Sequence, residues 1–269
     1  MNFFNPEIAA KALLPKDVAA SAATLHLAIH INPALVQVAV VDRDTNRDLW
    51  VEKFDILNDS NSDLSQAIDF VRHCNWGEKV FRKTTISFDN GDFVLVPQGF
   101  IVPGKEKEIL EFSTRREADC PENYMIPEIG AGIIYDLPLH LQTLASRFPN
   151  VRFYPSAGLC LRHAVSVSNE DSSFHVLVQH GYMLVIAFHG GQVKLTNHYG
   201  IQGNDDVLYH VANAAMRLGI HLESADLTLY GASVSGELKE LLEGYVGKVD
   251  YWNKGDHHLF SVLIHSLCV

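Results

Sequence analysis

The feature that most constrains this chain is a repeated order of elements. Leu25–Asn32 and Val36–Asp42 are short apolar runs separated by Pro33 and a few residues, so they read as a β-hairpin, and the alternating Leu49–Ile56 adds a third strand. Ser62 and Asp63 offer helix N-cap chemistry before Leu64, Ile68 and Val71 at helical spacing. The same succession returns at Phe174–His180, Met183–His189 and Val193–Tyr199. Gly190-Gly191 supplies a hairpin turn there, and the helix Asn204–Leu218 follows, with acids in its first turn. Leu25–Asn32 lies against Phe174–Gly181 and, after a one-residue gap, Leu35–Val41 against Met183–His189. Meanders followed by a helix also arise independently, so the shared order, not residue identity, carries the case for duplication.

Between the repeats the pattern predicts strands at 85–88, 93–96, 132–137 and 151–154. It predicts helices at 104–112, 139–148 and from Ser156 to Ser168. After the second meander come a strand at 227–230, a helix over 233–242 and a short strand at 249–252. Leu259–Leu267 is apolar and open to either helix or strand. The fold class is α/β: two similar lobes, each a mixed β-sheet with flanking helices, and a cleft between them. The lobes divide at Asn169–Ser173, giving an N-terminal extension over 1–24, a first lobe over 25–168 and a second over 174–269.

Over Leu25–Trp252 this layout resembles the actin, sugar-kinase and heat-shock-protein ATPase superfamily, whose lobes are ribonuclease-H-like. Within it, the chain is most similar to an uncharacterised bacterial family with an actin-like ATPase fold, and it is also similar to the actin-like proteins of pilus assembly and secretion platforms. The resemblance implies an Asp-x-Gly turn in each first hairpin, where the acid organises Mg²⁺ and the glycine admits phosphate. Here His30 stands at the acid position and Asn32 at the glycine position. In the second lobe Gln179 replaces the acid and Gly181 is kept. Imidazole is a poor ligand for Mg²⁺, which takes hard oxygens. The adenosine motif, usually Gly-Gly-x-Ser, reads Tyr230-Gly231-Ala232-Ser233, with one glycine of two. By the resemblance, His30, Asn32, Gln179, Gly181, Gly231 and Ser233 are the positions of a degenerate nucleotide site. Read from the residues alone, Gly181 and Gly231 are tight-turn glycines and Ser233 is an N-cap.

No P-loop, nucleophile elbow, H-E-x-x-H or G-x-G-x-x-G is present, so no catalytic residue is assigned. Histidine is abundant, at 14 residues. His26 and His30 share strand parity and one face. Asp256-His257-His258 with His265 could form a metal site, but no three histidines have recognised ligand spacing, so none is assigned and the histidines read as scattered surface and strand residues. Cys74, Cys120, Cys160 and Cys268 form no C-x-x-C pair and read as reduced thiols of a cytoplasmic protein. The first 16 residues lack a signal peptide's apolar stretch, and no 18-residue apolar run predicts a membrane span. The net charge of −11 argues against nucleic-acid partners and anionic lipid.

These readings lead to a pseudo-ATPase that does not hydrolyse nucleotide, takes no cofactor and works by protein interaction or scaffolding with an unidentified protein partner or a second copy of itself. A divergent kinase or ATPase of the same superfamily, and a histidine-based metalloprotein, are the alternatives.

Overall fold

The computed structural model describes residues 12–45, 47–56, 64–89, 91–168, 172–252 and 256–268. The N-cap expected at Ser62 and Asp63 and most of the proposed boundary at 169–173 lie outside them.

Two five-stranded sheets share one topology. In the first, β1 (His26–Asn32), β2 (Leu35–Asp42) and β3 (Arg47–Asp55) form an antiparallel meander, and β4 (Lys83–Phe88) and β8 (Val151–Pro155) extend it in parallel on the other side of β1, in the order β3-β2-β1-β4-β8. In the second, β9 (Ser173–Gln179), β10 (Tyr182–His189), β11 (Gln192–Gly200), β12 (Asp226–Tyr230) and β13 (Lys248–Tyr251) repeat that order as β11-β10-β9-β12-β13, with the same strand directions. β5 (Phe93–Pro97), β6 (Pro121–Ile126) and β7 (Ala131–Asp136) form a small third sheet; β6, rich in polar residues, gave no strand signal in the sequence.

Helices are α1 (Lys16–Ser21), α2 (Ser65–His73), α3 (Glu106–Thr114), α4 (Leu139–Gln142), α5 (Ser156–Val167), α6 (Asn204–Leu218), α7 (Gly236–Glu243) and α8 (Phe260–Cys268). The helix expected over 139–148 is shorter: α4 tightens into a 3₁₀ turn at Thr143–Ser146. The ambiguous run at 259–267 is helical.

The chain forms two compact units. One holds residues 1–124, 133–156 and 261–269, and the other holds 125–132 and 157–260. A single cut near residue 170 therefore does not reproduce them: most of α5 belongs with the second sheet, and most of α8 with the first. In the second unit Phe174, Val176 and Val178 of β9 pack with Met183, Val185 and Ala187 of β10 against Val207, Val211 and Ala214 of α6 and Leu238 and Leu242 of α7. All seven residues of β1 and of β9 are buried, as in strands covered on both faces. In the first unit Trp76 is fully buried, its ring meeting Phe54 and Phe70 with centroids 5.8 and 6.0 Å away. Its indole N–H donates to the Ala12 carbonyl at 2.9 Å, tying down the start of the described chain.

Candidate functional site

The hairpin registers place the sequence-derived positions. β1 ends at Asn32, which faces Leu35 across Pro33-Ala34, and β9 ends at Gln179, which faces Tyr182 across His180-Gly181. The two hairpins therefore match Asn32 with Gln179, two residues away from the gapless match of His30 with Gln179. A slip of two keeps every side chain on its own face, so alternation in the sequence cannot detect it.

In the first unit Asn32 is fully buried and closes its own turn. Its Oδ1 accepts the Ala34 N–H at 2.8 Å, and its Nδ2 donates to Asp89 Oδ2 at 2.7 Å. His30, also fully buried, lies within β1. Its Nδ1 shares a 2.9 Å hydrogen bond with Ser87 Oγ, and its Nε2 lies 3.3 Å from Asp89 Oδ2. Ser156, at the start of α5, donates its hydroxyl to Asp89 Oδ1 at 2.5 Å. Burial alone would raise the Asp89 carboxyl, but the electrostatic pull of His30 and the hydrogen bonds from His30, Asn32 and Ser156 outweigh it and hold the group below the usual carboxylate range.

Asp89, His30 and Ser87 thus have the connectivity of an acid–base–nucleophile triad. Ser87 is fully buried, however, and its hydroxyl also bonds His265 Nε2 at 2.7 Å, so the group has no access to a substrate. His265 was grouped with Asp256-His257-His258 from sequence; α8 instead carries it into the first unit, where its Nδ1 meets Thr85 Oγ1 at 2.6 Å. Thr85 in turn bonds His26 Nε2 at 2.7 Å. His26, His30 and His175 lie in strands, as the sequence reading allowed, but they are buried, as are His163 and His265, so these five are not surface residues.

In the second unit a recess of about 370 Å³ is lined by Gln179, Gly181, Gly203, Asn204, Val207 and Ser233 among others, so three of the six positions named from sequence meet there. Gly181 adopts φ +78°, which favours glycine. Gly231, at φ +109°, packs on Val178, one of the lining residues: a Cβ there would lie 2.2 Å from the Val178 carbonyl oxygen. The Gln179 side-chain oxygen accepts the Ala232 N–H at 3.2 Å, and the Ser233 N–H donates to the Val178 carbonyl at 3.2 Å. Ser233 is not the N-cap of α7. That place belongs to Ser235, whose hydroxyl accepts the Leu238 N–H at 3.2 Å. The N-terminus of α6 borders the recess, but its own Asp206 carboxylate accepts the N–H groups of Gln202 and Gly203 at 2.6 and 3.3 Å, and Asp205 adds a second acid. The positive end of that helix is met internally.

Asp256, His257 and His258 bring one ligand atom each to within 4.8 Å of one another. His257 stacks on Tyr251, ring centroids 4.4 Å apart, and Asp256 Oδ1 accepts the His258 N–H at 2.9 Å.

Two five-stranded sheets of one topology, each with its first hairpin beside a parallel strand, define the class: an actin-like ATPase fold. A family model described as "Protein of unknown function (DUF3822)" matches residues 16–249, and the chain belongs to that family. No curated protein matches it. Among solved structures, a Bacteroides thetaiotaomicron protein with actin-like ATPase fold and unknown function superposes with a TM-score of 0.81 at 14% identity, covering 93% of this chain and 98% of that one. The PilM–PilN type IV pilus biogenesis complex gives 0.54 at 11% identity, covering 90% and 97%. The cytoplasmic domain of EpsL, an inner-membrane component of the Vibrio cholerae type II secretion system, gives 0.51 at 12% identity, covering 90% and 94%. Among the described residues no helix is long and apolar enough to cross a membrane.

Proposed function

We propose that this protein is a non-hydrolysing actin-like domain that acts in the cytoplasm through protein interaction. The observation that carries the reading is the commitment of the side-chain amides at both hairpin ends. Asn32 gives its oxygen to the Ala34 N–H of its own turn, and Gln179 gives its oxygen to the Ala232 N–H of the segment after β12. Phosphoryl transfer rests on placing metal and cations around the moving group. Here the nearby carboxylate, Asp89, is committed to His30, Asn32 and Ser156, and the α6 terminus to Asp206. Support for the interaction half is twofold. Phe100, Val102 and Phe112 expose large apolar side chains in and just before α3, and two structures of the same fold are named as parts of multi-protein systems. Assay of the purified protein for Mg²⁺-dependent release of phosphate from ATP tests the first half: no turnover above a no-protein control is expected. Sustained turnover favours the divergent ATPase or kinase instead.

A second reading, a histidine-based metalloprotein, is favoured by the convergence of Asp256, His257 and His258. Burial and the neighbouring His258 push the His257 imidazole toward its neutral, metal-binding form, against the opposing charge of Asp256. Calorimetric titration with Zn²⁺ tests it, with His257→Ala/His258→Ala as the comparison.

A further inference from the structure

The buried polar groups of the first unit form a single file. In order they are His26, Thr85, His265, Ser87, His30 and Asp89, drawn from β1, from β4 and the residue following it, and from α8, with contacts of 2.7, 2.6, 2.7, 2.9 and 3.3 Å. Every member is 9% exposed or less, and the three imidazoles 1% or less. A hydroxyl between two imidazoles has one proton to give, so it donates to one ring and accepts from the other. With Asp89 ionised, only one direction fills every link when all rings are neutral. His30 Nε2–H donates to Asp89, Ser87 O–H to His30 Nδ1, His265 Nε2–H to Ser87, Thr85 O–H to His265 Nδ1, and His26 Nε2–H to Thr85. That leaves His26 Nδ1 without a proton, and it is buried with no hydrogen-bond partner.

We propose that this file is a proton wire joining the open nitrogen of His26 to the Asp89 carboxylate. A proton bound at His26 Nδ1 is answered by five transfers in the same direction. His26 passes its Nε2 proton to Thr85, Thr85 its proton to His265 Nδ1, His265 its Nε2 proton to Ser87, Ser87 its proton to His30 Nδ1, and His30 its Nε2 proton to Asp89. The protons balance: one enters, the carboxylate becomes a carboxylic acid, and each ring ends neutral as the opposite tautomer. The four hydrogen bonds and the 3.3 Å His30–Asp89 contact survive with donor and acceptor exchanged.

The wire has a structural readout at its middle and at one end. His265, the third member, is the side chain by which α8 enters the file, and Asp89, the last, holds the β1–β2 turn through Asn32 and the start of α5 through Ser156. The charge state of the first-hairpin turn is thereby linked to the seating of the C-terminal helix. Burial first, and then charged neighbours, keep His26 and His265 from storing the proton as a cation. Arg43, whose guanidinium donates to the His265 carbonyl at 3.3 Å, and Lys83 of β4 both act on His26; Lys83 also acts on His265, and Arg152 of β8 acts on Lys83.

The test is ¹⁵N NMR of the imidazoles in the intact protein. At neutral pH all three rings should show pyrrole-type Nε2 and pyridine-type Nδ1. On acidification they should exchange these roles together, at one midpoint, without imidazolium signals, because coupled groups titrate as a unit. Thr85→Val should detach His26, leaving His265 and His30 to respond without it. A neutral-pH Nδ1–H tautomer at His265 or His30, or three separate midpoints each producing imidazolium, overturns the proposal. The wild-type measurement decides the question even if Thr85→Val fails to fold.

Discussion

Asn32 and Gln179 hold the same place in the two halves of the chain. Each ends the first strand of its sheet, each faces its partner across a two-residue turn, and each gives its amide oxygen to a backbone N–H, Ala34 for Asn32 and Ala232 for Gln179. A carboxylate at either place could hold a metal; the amide instead completes the turn in the first half and ties β9 to the segment after β12 in the second.

Because Asn32 Nδ2 donates to Asp89 Oδ2 at 2.7 Å, Asn32→Asp would set a second carboxylate against a buried one. One of the two acids must then keep its proton, which raises its pKa in the folded state above that in the unfolded chain. The cost is fully felt above that raised pKa and fades as pH falls through it. We expect a loss of about 3 kcal/mol at pH 7, by analogy with breaking a buried charge pair, shrinking towards pH 5; urea unfolding at the two pH values measures both. An equal loss at both would show that the damage is steric.

Gly231 and Gly236 separate conformational need from mere presence of glycine. Gly231→Ala combines φ +109° with a 2.2 Å clash against backbone and should cost more than about 3 kcal/mol or prevent folding. A Cβ at Gly236, the first residue of α7, meets nothing within 4 Å, and Gly236→Ala should be neutral or stabilising by up to about 1 kcal/mol. Similar melting temperatures for the two variants would contradict the geometry.

Acid stability should carry the mark of the buried imidazoles. Burial, then Arg43 and Lys83, push His26 down to about 3; burial, then His163, push His175 down to about 3; burial, then His26, His30 and Lys83, push His265 well below its ordinary value. Each folded-state value lies below the unfolded one near 6.5, so the unfolded chain takes up protons that the folded chain refuses. Their contribution is complete above pH 6.5 and is lost as pH falls towards 3, at up to about 1.4 kcal/mol per pH unit for each ring. His175→Gln, which cannot titrate, should lower the slope of unfolding free energy between pH 6 and 4 by up to about one proton. An unchanged slope would place the proton uptake elsewhere.

Much of this was legible in the chain, because a meander announces itself by alternation, and a glycine pair or proline between two apolar runs marks the turn. The parity of His26 and His30 was legible for the same reason. Their burial was not: it depends on Thr85, Ser87 and His265, and His265 lies more than 170 residues from the two hydroxyls it bonds. The hairpin register escaped because a slip of two leaves the pattern unchanged. β6 escaped because Pro121, Glu122 and Asn123 dilute any strand signal, and its pairing with β7 supplies what propensity does not.

Restoring acids should not restore an enzyme. His30→Asp with Gln179→Asp would return two carboxylates while Asn32 still fills the first turn and Asp206 still closes α6. The first substitution also places a carboxylate beside Asp89, 3.3 Å from where the His30 ring now reaches. We expect no Mg²⁺-dependent ATP turnover in the double variant; measurable turnover would mean that the remaining apparatus is intact.

The central claim, that neither hairpin end holds a nucleotide, is tested most directly by the melting temperature of the wild-type protein with and without millimolar Mg-ATP. A ligand at 100 times its Kd that binds only the folded state adds about 2.7 kcal/mol. In a chain of this size about 1 kcal/mol moves the melting temperature by roughly 2–4 °C. The account predicts no shift beyond error. A reproducible rise of about 5 °C, absent with Mg²⁺ or phosphate alone, would contradict it and make this protein a nucleotide-binding member of its fold.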